Sequence, residues 1–309
     1  MEKIAYIIQA YKDPMHLSRL VSALNFHSDF YIHIDKKVDL EPFRKALSSL
    51  QKEVYFVNKY IVTWGGYSQV LSDKEMLGAI LNSGIKYKRI VCINGLDYPI
   101  YSNQRIHEVF EKNPTKEFIT GQNISHEEPE EIYRINKYYF IDHPFLISNP
   151  IVIKIIKKVT SVFKLNFKKR NVTSLNGITS DIYFGSGWYA ITYDCAKYVY
   201  ESLCKEKKFL RYISTTFVPD ELCIHTIVFN SRFADNAIRM PKNFALSLPG
   251  DSAFEKLSPL QYLEYRDQMK ILVEADFENI IKSNKMFFRK SETGISDSLL
   301  DQIDRIREQ

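Results

Sequence analysis

The run TTFVPDELCIHTIVFN, residues 215–230, sets Pro219, Asp220 and Glu221 ahead of a short apolar stretch. Two neighbouring carboxylates at such a point have two physical readings. Acidic side chains in the first turn of a helix accept otherwise unpaired backbone N–H groups and favour the positive end of the helix dipole. A carboxylate is also a general base, able to take the proton from a hydroxyl as its oxygen attacks an electrophilic carbon. Glu221 and His225 stand four residues apart and would share one helix face, which is the spacing of a metal pair, although no third ligand lies nearby in the sequence.

Other groups suited to ligand contact sit in loops. Asp35, in IHIDKK, falls where an apolar run meets a charged loop, a place where both ligand contacts and turn residues gather. His33 precedes it on the same strand face, within reach of pairing with it or of staying in the core. VTWGGYS (62–68) carries Trp64 and Gly65, with glycines that permit an unusual turn, and INGLDYPIYSN (93–103) carries Asp97 before Tyr98-Pro99. DIYFGSGWYAIT (181–192) sets Gly185, Ser186 and Gly187 against Trp188. Small residues let a backbone approach a ligand and an indole face suits the apolar side of a sugar ring; a tight turn closed by a core tryptophan fits the same residues. FFRKSE (287–292) brings Arg289 and Lys290 together, either as solvated surface or to neutralise a diphosphate.

The elements that must hold these groups are written in the periodicity. KIAYIIQA (3–10) is a continuous apolar run, as in a strand buried on both faces, and Asp13-Pro14 caps a helix through Leu17, Leu20, Val21 and Leu24. Strands follow at 29–35, 53–57 and 89–95, separated by a polar helix near 40–50 and a helical pattern from Val70 to Leu81. This alternation predicts an α/β fold: a mostly parallel, Rossmann-like sheet flanked by helices, with the Asp35, Trp64 and Asp97 loops together at the carboxyl ends of its strands. The pattern becomes less regular beyond residue 120, with no repeat or linker, so one fused unit is expected with a soft boundary there and a charged helix in the 292–309 tail.

Composition narrows the classes. The chain has 309 residues, 45% of them apolar, and a formal charge of +5, which describes a globular protein without a uniformly basic surface for nucleic acid. No Gly-rich phosphate loop and no DxD occurs. Cys92, Cys195, Cys204 and Cys223 are spread out with no CxxC pair, against a zinc ribbon or a disulfide framework. With no cleavable leader and no stretch of roughly 20 apolar residues, a soluble, cytoplasmic protein is expected. Between Asp142 and Asp181 there is no acidic residue, yet Lys154, Lys157, Lys158, Lys164, Lys168, Lys169 and Arg170 fall there. Val152, Ile155, Ile156, Val159 and Phe163 form an apolar helical stripe in the same segment, so residues 150–170 either pack on the core with a solvated lysine face or rest peripherally on an anionic membrane.

Taken in order, AYIIQAYKDP, FYIHIDKK, VTWGGYSQV, INGLDYPI, GSGWYAIT, FVPDE and FFRKS resemble the core-2/I-branching N-acetylglucosaminyltransferase and peptide O-xylosyltransferase family over roughly residues 3–291. The resemblance implies a GT-A-like fold and inverting transfer of a sugar, GlcNAc or xylose, from a UDP-sugar to a hydroxyl of a glycan or lipid-linked glycan, with no metal or other cofactor. Residues 1–120 would bind the nucleotide sugar and 121–291 the acceptor. By the same resemblance, Glu221 matches the catalytic base and Lys290 the lysine that offsets charge on the leaving diphosphate. Arg266 is the nearest counterpart of a second basic residue, and Arg289 is an alternative. Asp35 matches a nucleotide contact, with Ile7 and Trp64 in its binding segments; Ile61 stands where the animal enzymes have an aromatic near the uracil. Arg134, Lys137 and Trp188 are acceptor candidates, with Asp220 and the Gly185–Gly187 loop beside them. The compact chain resembles a bacterial member that modifies a surface polysaccharide precursor.

Overall fold

The computed structural model describes residues 2–50, 53–126, 133–142, 174–242, 244, 256–265 and 268–308. The first hundred residues alternate as expected: β1 (Ile4–Ala10), α1 (Pro14–Leu24), β2 (Ser28–Ile34), α2 (Glu41–Ala46), β3 (Val54–Val57), α3 (Ser68–Asn82), β4 (Arg89–Asn94), β5 (Asp97–Pro99) and α4 (Asn103–Lys112). Then come β6 (Thr120–Asn123), α5 (Tyr133–Asn136), the hairpin β7 (Ser174–Leu175) and β8 (Ile178–Thr179), β9 (Tyr183–Phe184) and β10 (Tyr189–Ile191). The described chain ends with α6 (Tyr193–Lys205), α7 (Lys207–Ile213), α8 (Cys223–Phe229), β11 (Ile238–Arg239), β12 (Gln261–Leu263), α9 (Phe277–Lys282), β13 (Phe287–Arg289) and α10 (Asp297–Arg307).

The main sheet runs β10-β4-β1-β2-β3, with β4, β1, β2 and β3 parallel and β10 antiparallel to β4. Side chains alternate along β1, so the two faces of the sheet build two cores. Ile4, Tyr6 and Ile8 join the core under α1 and α10, whereas Ala5 and Ile7 join the one under α3, α6 and α8. The fold is therefore the expected mostly parallel α/β arrangement with helices on both faces. Asp13 accepts the His16 N–H at 3.0 Å and Pro14 opens α1, as the cap signal predicts. The polar helix near 40–50 is shorter than its pattern: α2 stops at Ala46 and a 3₁₀ turn spans Ser48–Leu50.

The two halves share sheets. β10 extends the N-terminal sheet, and β13 pairs parallel with β12 and antiparallel with β5, setting Arg289 directly opposite Asp97. Segment 150–170 and Arg266 lie outside the described residues. Among the described residues no helix is long and apolar enough to cross a membrane.

Candidate active site

At the carboxyl ends of β1, β2 and β4, where a parallel sheet leaves a crevice, lies a cavity of about 440 Å³. Asp35 lines it, only 6% exposed, and its Oδ1 accepts from Lys37 N at 3.0 Å and Val62 N at 3.3 Å while Lys37 Nζ stands 3.3 Å from Oδ2. Asp35 thus ties the loop after β2 to the loop after β3. His33 does not pair with it: Nε2 accepts the Tyr60 N–H at 3.3 Å and the rings stack. Trp64 stands 74% exposed at the rim, edge-on to Phe217.

Gly65 has a left-handed φ of 74°, donates its N–H to Gln69 Oε1 at 2.9 Å and accepts the Val218 N–H at 3.1 Å. This bond docks the Trp64 loop on the Asp220–Glu221 segment. Val218 itself has φ 52°, a conformation costly for a β-branched residue and one that concentrates at functional sites. It leads into a 3₁₀ turn, Pro219–Glu221, so Glu221 lies outside α8. The expected shared helix face with His225 is absent because the chain turns between them. His225 is fully buried, with Nδ1 2.7 Å from the Thr120 carbonyl, and burial lowers its pKa to about 4. It is a neutral core histidine. Among the described residues no group of three or more His, Cys, Asp or Glu is placed to hold a metal ion.

Glu221 lines a second cavity, of about 360 Å³, that shares Gln9, Trp64, Gln69, Asn94 and Arg289 with the first. Its Oε2 meets Arg134 Nη1 at 3.0 Å, and the guanidinium stacks 4.5 Å above the Phe184 ring. Burial raises the Glu221 pKa, and the Arg134 charge and hydrogen bond oppose that rise. Asp220 is pushed far higher, first by burial and then by Glu221 and Asp73; Oδ2 accepts from Gln69 Nε2 at 3.2 Å while Oδ1 has no partner. Side by side, the two carboxyls are raised to different extents, because Arg134 opposes the rise at Glu221 directly and Asp220 has only the Gln69 amide.

Arg289 lines both cavities, its guanidinium over the Trp188 ring at 5.6 Å. Asp97 does not reach either cavity. Fully buried, it accepts from Arg289 Nη1 at 2.8 Å, Trp188 Nε1 at 2.9 Å, Gln261 Nε2 at 2.8 Å and Asn94 N at 2.7 Å. The expected donor contact is therefore a buried anchor for Arg289 and Trp188. Lys290 sits one residue beyond the cavity lining, 3.0 Å from Glu292, which also holds Lys12 at 2.7 Å.

Ile7 is likewise displaced from its expected role, since its side chain is fully buried in the α3-side core and Gln9, Ala10 and Tyr11 form the cavity wall instead. Gly185 and Ser186 are buried: a Cβ at Gly185 would run into the Thr120 carbonyl and the His225 ring, and Ser186 Oγ accepts from Trp188 N at 3.3 Å. Of that loop only Gly187 and Trp188 face the cavity. Lys137 is exposed and lines neither cavity. Sequence reasoning missed Gln9, Gln69, Asp73 and Asn94. The available signal was polarity out of place: an amide near the end of an apolar strand, and Gln69 and Asp73 four residues apart among the buried Val70, Met76 and Leu77.

Fold and site together define an α/β protein with a crevice at its strand ends, lined by a carboxyl paired with Arg134 and by a guanidinium fixed on Asp97. The family model for the Core-2/I-Branching enzyme matches residues 4–245, and the chain belongs to that family. Relatives include mouse beta-1,3-galactosyl-O-glycosyl-glycoprotein beta-1,6-N-acetylglucosaminyltransferase 4, 24% identical over 71% of this chain and 45% of its own length. Human N-acetyllactosaminide beta-1,6-N-acetylglucosaminyl-transferase is 24% identical over 71% of this chain and 50% of its own. The chain spans about half the length of the curated relatives it matches. Among solved structures, mouse xyloside xylosyltransferase 1 aligns with a TM-score of 0.37 at 12% identity, over 82% of this chain and 93% of that one.

Proposed function

We propose that this protein transfers a sugar, GlcNAc or xylose, from a UDP-sugar to a hydroxyl of a glycan acceptor with inversion and without a metal ion. The observation that carries this reading is that Glu221, paired with Arg134, and Arg289, fixed by Asp97, line one cavity. Glu221 takes the acceptor proton as the acceptor oxygen forms its bond to the anomeric carbon. The bond from that carbon to the diphosphate oxygen breaks with its electron pair, and UDP leaves. Arg289, with Lys290 behind it, offsets the charge growing on the diphosphate, as a preorganised cation does for any anionic leaving group. The Trp188 ring offers an apolar face to the acceptor sugar. A surface-polysaccharide precursor is the acceptor class this reading favours.

Glu221→Gln keeps the shape and removes the base. Transfer should fall by about 10²–10⁴-fold, the usual contribution of a positioned base, with UDP affinity changed by less than about threefold. Turnover retained in that variant would take Glu221 out of the base role.

A further inference from the structure

Asp73 belongs to none of the roles above, yet it is the most deeply buried carboxyl that touches the crevice. It stands on α3, 4% exposed, and lines the Glu221 side of the cavity. Oδ1 accepts from Gln9 Nε2 at 2.7 Å. Oδ2 makes no hydrogen bond among the described residues and keeps access to solvent at the cavity. Two more unspent polar groups lie beside it. Gln9 commits its Nε2 to Asp73 Oδ1 and the Gln69 carbonyl, which leaves Oε1 free, and the Asn94 carboxamide has no partner among the described residues. Gln9 and Asn94 are register partners at the ends of adjacent parallel strands, so both carboxamides come up at the same level of the floor.

That floor is where the two cavities merge, since Gln9 and Asn94 line both. On the proposed function, the anomeric carbon must sit between Arg289 and Glu221, and the rest of its ring must then lie over this junction. Burial raises the Asp73 pKa to about 7; a carboxyl there accepts from hydroxyls and, when protonated, also donates to them, and two carboxamides beside it supply both donor and acceptor atoms. A wall built to hydrogen-bond hydroxyls favours a ligand that presents them over an analogue that lacks them. We propose that Asp73, with Gln9 and Asn94, forms a subsite that reads the hydroxyls of the transferred sugar and is separate from the groups holding the nucleotide.

This inference rests on the nucleotide-sugar reading and can fail independently of it. The test is calorimetric titration of wild type and Asp73→Ala with UDP and with UDP-GlcNAc, UDP-xylose, UDP-glucose and UDP-galactose. Alanine is a strong helix former, and the change also removes a buried acid, so the variant should fold. The expected result is UDP affinity within about twofold of wild type and preferred-sugar affinity lowered about tenfold, the scale of one lost hydrogen bond. Gln9→Leu should shift the same ratio in the same direction, because it removes both the free Oε1 and the Asp73 donor. Equal loss for UDP and UDP-sugar would make Asp73 a structural residue, and an unchanged ratio would remove it from the site; either result overturns the subsite alone. Wild type that binds UDP but none of the four sugars would also overturn it. Wild type that binds no UDP would overturn the nucleotide-sugar reading and the subsite together.

Discussion

Glu221 and Asp220 are covalent neighbours in unlike surroundings. Arg134 reaches Glu221 from 87 residues away, whereas Asp220 receives only the Gln69 amide and keeps one oxygen unpaired. Removing the guanidinium should therefore raise the Glu221 pKa further, because its charge is the leading opposition to the burial effect. A base must be ionised to act, so in Arg134→Gln the acid limb of the pH–rate profile should move to higher pH. Transfer at pH 7 should fall more than about tenfold and partly recover towards pH 9. A limb that stays in place while the rate drops would mean that Arg134 acts on the acceptor and not on the base. The carboxylate was legible in PDE, since the residue type carries the chemistry. Its partner was not, because nothing in sequence spacing joins residue 134 to residue 221.

Elements place these residues by contacts that no local pattern encodes. α3 opens at Ser68 without a cap from its own Tyr67; the Asp142 carboxylate accepts from Ser68 N at 2.6 Å and Ser68 Oγ at 3.0 Å instead. Gly66 is needed there, as a Cβ would overlap that carboxylate. The Gly185–Gly187 loop behaves similarly. Its small residues suggested a backbone approaching a ligand, but at Gly185 the close neighbours are the Thr120 carbonyl and the His225 ring, and the Gly185 N–H donates to the Glu221 carbonyl at 3.0 Å. Gly185→Ala should cost about 1–3 kcal/mol by overpacking and displace the Glu221 backbone, so both the denaturation midpoint and transfer should fall. Gly187→Ala, with its nearest neighbour 3.8 Å away at Asp220, should leave the midpoint nearly unchanged. Equal midpoints for the two variants would contradict this division of the loop.

Across the whole molecule, the decisive pairing is β13 with β5, which bridges 192 residues to set Arg289 opposite Asp97. Asp97 ties three strands and the loop before β10 to one carboxylate, so Asp97→Asn should release Arg289 and weaken UDP binding about tenfold. Stability should fall by less than the roughly 3–5 kcal/mol of a sealed ion pair, because Arg289 keeps some solvent contact. UDP titration alongside urea unfolding checks both. Stability lost with UDP affinity intact would show that the anchor serves the fold alone.

By itself the sequence determined the alternation of strands and helices, the crevice at the strand ends and a pair of carboxylates, Asp220 and Glu221, of the type that can take a proton. Those features depend on local periodicity, capping and side-chain type, which are properties of short stretches. Tertiary structure decided which polar groups face the crevice. Ile7 went to the core because it lies mid-strand beneath α3, two residues short of Gln9 on the same face at the strand's carboxyl end; Asp97 went behind the wall because β13 covers it, and Gln9, Asn94 and Asp73 reached the floor. Whether a side chain meets ligand or protein depends on what packs beside it, and that neighbour is set by pairings 60 to 200 residues apart, beyond the reach of any local pattern.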